Sequence, residues 1–260
     1  MKPIGCFALA ALCTSAGAHP LYLSGTVGPS PALAMVERDG GHLSGWYLYL
    51  RHGKDIRLDG RIDAKGNFQL DEFDANSSRK TGSFKGAATG PHWTGEWRNA
   101  AGAAPLAVVL DENRDALSAV NGRFRCATKK NDKQFGYIYT HSVDLTLTKG
   151  AVKSFKAFRG ETSVQGDDQS CSIELVDLKR VPSDAGILLR SKGDDPGAEN
   201  TPHCSVRILA AGDYLYVQMG DSSENGNECR GAADAMYCSP RSFWADMIVE
   251  RKTQVCKSVE

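Results

Sequence analysis

The sequence has no excess charge of either sign and no long hydrophobic run. Its 31 Lys and Arg balance 31 Asp and Glu over 260 residues. Because nucleic-acid-binding proteins usually present a basic face, this balance argues against a nucleic-acid partner. The longest apolar stretch, Ile4 to Ala11, is too short to cross a bilayer, for which about 20 residues are needed. We therefore expect neither nucleic-acid binding nor an integral membrane protein.

The sequence also lacks the common catalytic and metal-binding motifs. It contains no Gly-x-Ser-x-Gly, no His-Glu-x-x-His and no Cys-x-x-Cys. Acidic pairs such as Asp71 and Glu72 are adjacent in sequence, and neighbours in a strand point to opposite faces of the sheet. Such a pair cannot flank a glycosidic bond. We therefore predict that the protein is not an enzyme and uses no cofactor.

The N-terminus predicts a secretory signal peptide over residues 1–18. Lys2 supplies the positive charge, the apolar run follows, and Ala16-Gly17-Ala18 provides small residues before a cleavage point at His19. We therefore expect a periplasmic or secreted protein.

Cleavage after residue 18 would leave six of the eight cysteines, all of them beyond residue 125. An even number in an oxidising compartment predicts three disulfides rather than a metal–thiolate site. Many pairings are possible, and the sequence does not choose among them. One arrangement joins Cys126 to Cys256, Cys171 to Cys204 and Cys229 to Cys238. The uneven distribution predicts two domains, a cysteine-free one over 19–120 and a disulfide-stapled one over 121–260.

The N-terminal half shows short alternating runs, each closed by Gly, Asp or Asn. The predicted strands are His42–Arg51, Lys54–Asp63, Asn67–Phe73, Arg79–Ala87, His92–Arg98 and Pro105–Leu110. This spacing predicts an antiparallel meander that forms a curved sheet or a small barrel. Glycines within these strands favour strong curvature. The aromatic residues Trp46, Tyr49, Trp93 and Trp97 could form either its core or a platform for a ligand.

These strands carry a recurring glycine and aromatic pattern. It comprises Gly45-x-Tyr47-x-Tyr49, Ile56-x-Leu58-x-Gly60, Thr81-Gly82-x-Phe84-x-Gly86 and Gly95-x-Trp97. The pattern resembles a β-meander module of exported proteins of Gram-negative bacteria, many without an assigned function. The resemblance covers about seventy residues. It implies architecture and compartment and supplies no catalytic residue.

The C-terminal half is also predicted to be mainly β, with strands separated by polar loops. The predicted strands are Val143–Thr148, Cys171–Leu178, Gly186–Ser191, Cys204–Ala210, Asp213–Met219 and Ala245–Lys252. Two of the loops, 192–202 and 220–228, contain acidic residues that could meet a basic cleft on a partner. These residues are Asp194, Asp195, Asp221 and Glu224.

The second of these loops also resembles part of a calcium-binding loop. Asp221, Ser223 and Asn225 place oxygen atoms at alternate positions, with Glu228 as a further candidate ligand. The twelfth position is Ala232, so the bidentate glutamate of an EF-hand is missing. A polar turn is the competing interpretation, and we predict no metal site.

Together these features favour binding over catalysis. We expect a periplasmic inhibitor or immunity-type protein that binds an envelope-targeting hydrolase of the lysozyme, amidase or lipase class. A rigid β scaffold with stapled loops can fill an active-site cleft at little ordering cost. The alternatives are a module that binds a small ligand or glycan through its aromatic residues, and an enzyme of unrecognised type. The sequence does not predict the oligomeric state.

Overall fold

The computed structural model describes residues 20–74, 77–114, 117–134, 136–164, 171–175, 178–190, 205–219 and 245–259, and gives only the backbone for Glu161 and residues 171–175. The predicted signal peptide lies outside this range. The described chain contains eighteen β-strands and no helix. These strands form a closed barrel, a four-stranded sheet and a six-stranded sheet.

The N-terminal half forms an eight-stranded antiparallel barrel. Its strands are β1 (Leu21–Val27), β2 (Ser30–Asp39), β3 (His42–Tyr49), β4 (Asp55–Ile62), β5 (Asn67–Phe73), β6 (Lys80–Thr89), β7 (His92–Asn99) and β8 (Leu106–Glu112). Each strand pairs with the next along the chain, and β8 returns to pair with β1. Closure leaves the barrel without a free sheet edge.

Alternate residues of every barrel strand point inward, and glycines allow the sheet to coil tightly. Leu58, Phe68 and Phe84 are among the buried inward side chains. Gly60 faces inward between Leu43 and Leu70, and a Cβ atom there would lie 2.0 Å from the backbone oxygen of a neighbouring strand. Only glycine permits this approach without moving the backbone. The predicted curvature is therefore confirmed as a closed barrel.

The C-terminal half contains two antiparallel sheets. The four-stranded sheet has the order β12-β11-β10-β9 and the six-stranded sheet has the order β13-β14-β15-β16-β17-β18. Their strands are β9 (Gly122–Asp132), β10 (Tyr137–Thr148), β11 (Ala151–Ser163), β12 (Cys171–Leu175), β13 (Lys179–Val181), β14 (Ile187–Arg190), β15 (Ser205–Ala211), β16 (Tyr214–Met219), β17 (Met247–Glu250) and β18 (Cys256–Ser258).

The two sheets share one hydrophobic core and a disulfide. Phe124 and Leu145 from the four-stranded sheet pack in the same buried cluster as Ile208 and Val217 from the six-stranded sheet. The Cys126–Cys256 bond joins β9 to β18, with Cα atoms 5.6 Å apart. This pairing, the one that the sequence suggested for the domain ends, is confirmed. Since the bond closes a long loop, it removes much conformational freedom from the unfolded chain.

The barrel and the C-terminal half are packed together through a buried interface. The outer surface of β1–β3 and the second face of the six-stranded sheet form one apolar cluster, in which Leu33 and Leu209 are fully buried. The Tyr22 hydroxyl donates a hydrogen bond to Gln218 Oε1 at 2.9 Å. The Asn113 side chain donates one to the Ala210 carbonyl at 2.5 Å. These contacts hold the two halves in one relative position.

The predicted mainly β fold is confirmed, with differences in detail. The six predicted strands of the N-terminal half match β3 to β8 within a few residues. The sequence analysis did not predict β1 and β2, which complete the barrel, β9 and β11, which form most of the four-stranded sheet, or the short strands β13 and β18. The predicted pairs Cys171–Cys204 and Cys229–Cys238 involve side chains outside the described part of the structure.

Candidate functional site

The interior of the barrel is filled by side chains. Leu23, Leu58, Phe68, Phe84 and Val108 are among the apolar residues that line a residual cavity of only about 20 Å³. A cavity of this size has room for about one water molecule. The barrel is therefore a packed scaffold, and its interior offers no space for a small organic ligand.

One end of the barrel interior is polar and is organised around Glu72. This carboxylate is 6% exposed and points inward from β5. It accepts hydrogen bonds from the Tyr47 hydroxyl, the Thr81 hydroxyl and the Trp97 Nε1–H, each at 2.6 Å. Three donors compensate for the loss of water around the buried charge, which would otherwise be costly. We call Glu72, Tyr47, Thr81 and Trp97 the Glu72 cluster.

Tyr47 of this cluster and the neighbouring Tyr49 remain protonated. Burial and the neighbouring Glu72 carboxylate raise the pKa of Tyr47 far above its ordinary value. Burial also raises the pKa of Tyr49, whose ring centroid lies 5.4 Å from that of Tyr47. A phenol whose pKa is raised is a poor general base but a stable hydrogen-bond donor. The arrangement therefore suits structural closure of the barrel end better than proton transfer.

The sequence analysis considered Glu72 only as the neighbour of Asp71, and it did not predict the cluster. One sequence signal could have predicted it: an acidic residue at an inward-facing position of a strand. A carboxylate buried there needs hydrogen-bond donors around it. Its neighbour Asp71 points outward and forms an ion pair with Lys80, with Oδ1 and Nζ 2.6 Å apart. The two carboxylates therefore lie on opposite sides of the sheet, as their adjacency predicts.

The four aromatic residues proposed as a ligand platform do not share one surface. Trp93 is 4% exposed and packs against Phe68 inside the barrel, with ring centroids 5.0 Å apart. Trp97 lies four residues further along β7, in the Glu72 cluster at the opposite end, where Tyr49 also lies. Trp46 points outward and contacts Tyr216 of the six-stranded sheet at 5.7 Å between ring centroids. Their positions give these rings packing roles.

The predicted acidic loops lie outside the described residues, but the ends of the strands that flank them are defined. The chain leaves β14 at Arg190 and enters β15 at Ser205; it leaves β16 at Met219 and enters β17 at Met247. These four strands are consecutive antiparallel neighbours in the six-stranded sheet. Both connections therefore start and finish at the same end of that sheet, and the connection between β15 and β16 lies at the opposite end.

The candidate binding residues of those connections lie outside the described part of the chain. They comprise Asp194, Asp195, Asp221 and Glu224, together with the calcium candidates Ser223, Asn225 and Glu228. Within the described ranges, no group of three or more His, Cys, Asp or Glu side chains is arranged to hold a metal ion. The described residues also include no helix that is long and apolar enough to cross a membrane.

Two carboxyl groups with raised pKa values lie at the interface between the barrel and the six-stranded sheet. Burial, and secondarily the charge of Asp246, raises the pKa of Asp55 to about 6. Burial raises the pKa of Asp246 to about 6, although hydrogen bonds from the Tyr216 hydroxyl and the Met219 N–H oppose the shift. One Asp55 oxygen is buried without a hydrogen-bond partner among the described atoms.

Comparison with known proteins gives no assignment: no protein-family model, curated protein or solved structure matches the chain.

Proposed function

We propose that this is an exported binding protein that inhibits or neutralises an envelope-targeting hydrolase of the lysozyme, amidase or lipase class. The observation that carries the proposal is the common origin of residues 191–204 and 220–246 at one end of the six-stranded sheet. Binding residues are often found on loops that a rigid scaffold positions. Two adjacent loops at one sheet end can contact one partner together.

The scaffold behind these loops supports such a role. The Cys126–Cys256 bond and the shared core fix the six-stranded sheet against its partner sheet. The apolar interface with the barrel fixes its other face. A preorganised scaffold loses little conformational entropy on binding, so more of the contact energy contributes to affinity.

The acidic residues of the two loops support a partner with a basic surface. Asp194, Asp195, Asp221 and Glu224 are carried by the two connections. Complementary charge mainly accelerates association and selects the partner. A lysozyme-type cleft with a basic rim is the kind of surface that this arrangement would recognise.

The alternative of a small-ligand module within the barrel has less support. Its proposed aromatic residues lie on different surfaces, and the interior cavity holds about one water molecule. An enzyme of unrecognised type remains a separate hypothesis, for which the Glu72 cluster supplies a carboxylate already occupied by three donors and one protonated phenol, that of Tyr47.

The proposal is tested by exchanging the loops in the full mature chain. Residues 192–202 and, separately, 220–228 are replaced by Gly/Ser segments of equal length, and the wild type and variants are used to capture proteins from envelope extract. A matched control replaces residues 101–104 between β7 and β8. We expect the wild type and the control to bind and inhibit a hydrolase. We expect both loop variants to lose this binding and inhibition.

A charge variant separates electrostatics from shape. Neutralising Asp194, Asp195, Asp221 and Glu224 together should slow association with the captured hydrolase by about tenfold at low salt. If no hydrolase is retained, or if the loop variants bind as tightly as the wild type while remaining folded, the proposal is wrong.

A further inference from the structure

The outer face of the four-stranded sheet is basic, although the chain as a whole is neutral. The segment from Gly122 to Ser163, which forms β9 to β11, contains nine Lys or Arg and three Asp or Glu. Exposed cationic side chains on the outer face include Arg123, Arg125, Lys129 and Lys156. The opposite face of these strands packs in the core.

The strand register arranges this face in rows that run across the sheet. Arg125, Asp144 and Lys156 form one row. Ala127, Ser142 and Phe158 form the next, and Lys129, Thr140 and Gly160 form the third. Same-face residues along a strand are spaced by roughly 7 Å, so the first and third rows are about 14 Å apart.

The side chains of the first two rows line a shallow groove, and the third row, with Lys129, lies beside it. Ala127 and Ser142 are short and form its floor, while Arg125, Lys156 and Phe158 rise along its sides. The open space above the floor is about 450 Å³.

Phe158 is unusual because it is a large apolar side chain left 37% exposed on a sheet face. An exposed aromatic ring on a flat sheet is suited to stacking on the apolar face of a sugar, with the hydroxyls of Ser142 and Thr140 nearby to accept or donate hydrogen bonds. A single ring offers too little apolar surface to anchor a protein in a lipid interface.

The charges around the groove are only partly balanced. Asp144 accepts hydrogen bonds from Arg123 at 2.6 and 2.8 Å and from Arg125 at 2.9 Å. These hydrogen bonds lower the pKa of Asp144 to about 2, so its carboxylate is charged at neutral pH. One carboxylate shared by two guanidinium groups leaves a net positive charge, to which Lys129 adds. Glu174 of β12 lies opposite Phe158 in the register at the margin of this face.

We propose that this groove binds an acidic glycan, with Phe158 stacking on a sugar ring while Arg125 and Lys129 pair with its carboxylate, sulfate or phosphate groups. The site lies on a different sheet from the loops assigned to hydrolase binding and does not depend on that function. It would place the protein on an anionic polysaccharide.

Calorimetric titration of the full mature chain tests this inference. The probes are polygalacturonate and dextran sulfate, with neutral dextran, polyglutamate and anionic phospholipid vesicles as comparisons. We expect binding to both acidic glycans, weaker binding to polyglutamate, and none to neutral dextran or vesicles. Affinity should fall as salt rises, because the cations contribute through screened charge.

Substitutions then separate stacking from charge. Phe158→Ala should weaken glycan binding about fivefold without changing the salt dependence, since it removes a stacking contact. Lys129→Gln should weaken binding and reduce the salt dependence. Lys85→Gln, which removes an exposed lysine from the outer surface of the barrel, is the matched control and should have no effect.

Three results would overturn the proposal. The first is equal affinity for polyglutamate and polygalacturonate together with an unchanged affinity in Phe158→Ala. The second is binding to vesicles instead of glycans. The third is no binding to any probe. Because Phe158 and Lys129 are exposed, the variants should fold normally, which circular dichroism verifies.

Discussion

The Glu72 cluster predicts a large and specific loss of stability on one substitution. Glu72→Ala removes the acceptor for Tyr47, Thr81 and Trp97, whose donors all lie 2.6 Å from its oxygens. Each buried donor left unsatisfied costs about 1–3 kcal/mol. Water can reach the half-buried end of the barrel and restore part of this loss. We therefore expect the free energy of unfolding to fall by about 3–5 kcal/mol.

Two further variants determine whether the hydrogen bonds are the cause. Glu72→Gln keeps the volume and one acceptor oxygen, so it should cost about 1–2 kcal/mol. Asp71→Ala alters the preceding residue on the outer surface and removes an exposed ion pair with Lys80, so it should cost less than about 1 kcal/mol. Urea denaturation followed by tryptophan fluorescence measures all three. Equal losses for Glu72→Ala and Asp71→Ala would refute the reasoning.

Three other predictions concern the disulfide, the interface and the barrel. Replacing Cys126 and Cys256 together by Ser should lower the free energy of unfolding by about 3–5 kcal/mol, because the bond spans 130 residues. Stability should fall as pH rises from about 4 to 6, since the folded state holds protons on Asp55 and Asp246 that the unfolded state releases near the ordinary aspartate pKa of 3.8. Gly60→Ala should cost about 2–4 kcal/mol because its Cβ would overlap a backbone oxygen.

Each of these predictions has a measurement that can contradict it. The denaturant midpoint of the double-serine variant should lie below that of the oxidised wild type, and equal midpoints would show that the Cys126–Cys256 bond does not stabilise the fold. The thermal midpoint of Asp55→Asn should depend less on pH than that of the wild type. An unchanged slope would show that the Asp55 carboxyl does not cause the pH dependence. Gly41→Ala is the steric control for Gly60→Ala, because its Cβ would meet only one atom, at 3.3 Å. Equal losses for the two glycine variants would refute the close-packing explanation.

The sequence predicted β4 to β7 well because one face of these strands is apolar and the other is largely polar. It also predicted β3 and β8, although Leu48 of β3 points outward into the interface. In β2 this alternation fails: Leu33 and Met35 point outward into the interface while Ala34 and Val36 point into the barrel. A strand buried on both faces reads as a continuous apolar run, which periodicity cannot distinguish from a buried helix. Closure of the barrel therefore could not be predicted from alternation alone.

Two strands of the four-stranded sheet, β9 and β11, were not predicted because their apolar signal is weak. Both strands carry Arg and Lys at outward positions, so their few inward residues, such as Phe124 and Phe155, give a weak signal. The basic groove could not be predicted from the sequence either, because it depends on which residues the strand register of β9, β10 and β11 places side by side. The Cys126–Cys256 bond was suggested by chain position, but many other pairings were equally compatible with the sequence.

The most direct test of the proposed hydrolase-binding function is hydrogen exchange on the complex with the captured hydrolase. The account predicts slower exchange in residues 191–204 and 220–246 and at the flanking strand ends, Arg190, Ser205, Met219 and Met247. Exchange in β4 to β7 of the barrel should not change. Protection confined to the barrel, with the ends of the six-stranded sheet unaffected, would contradict it.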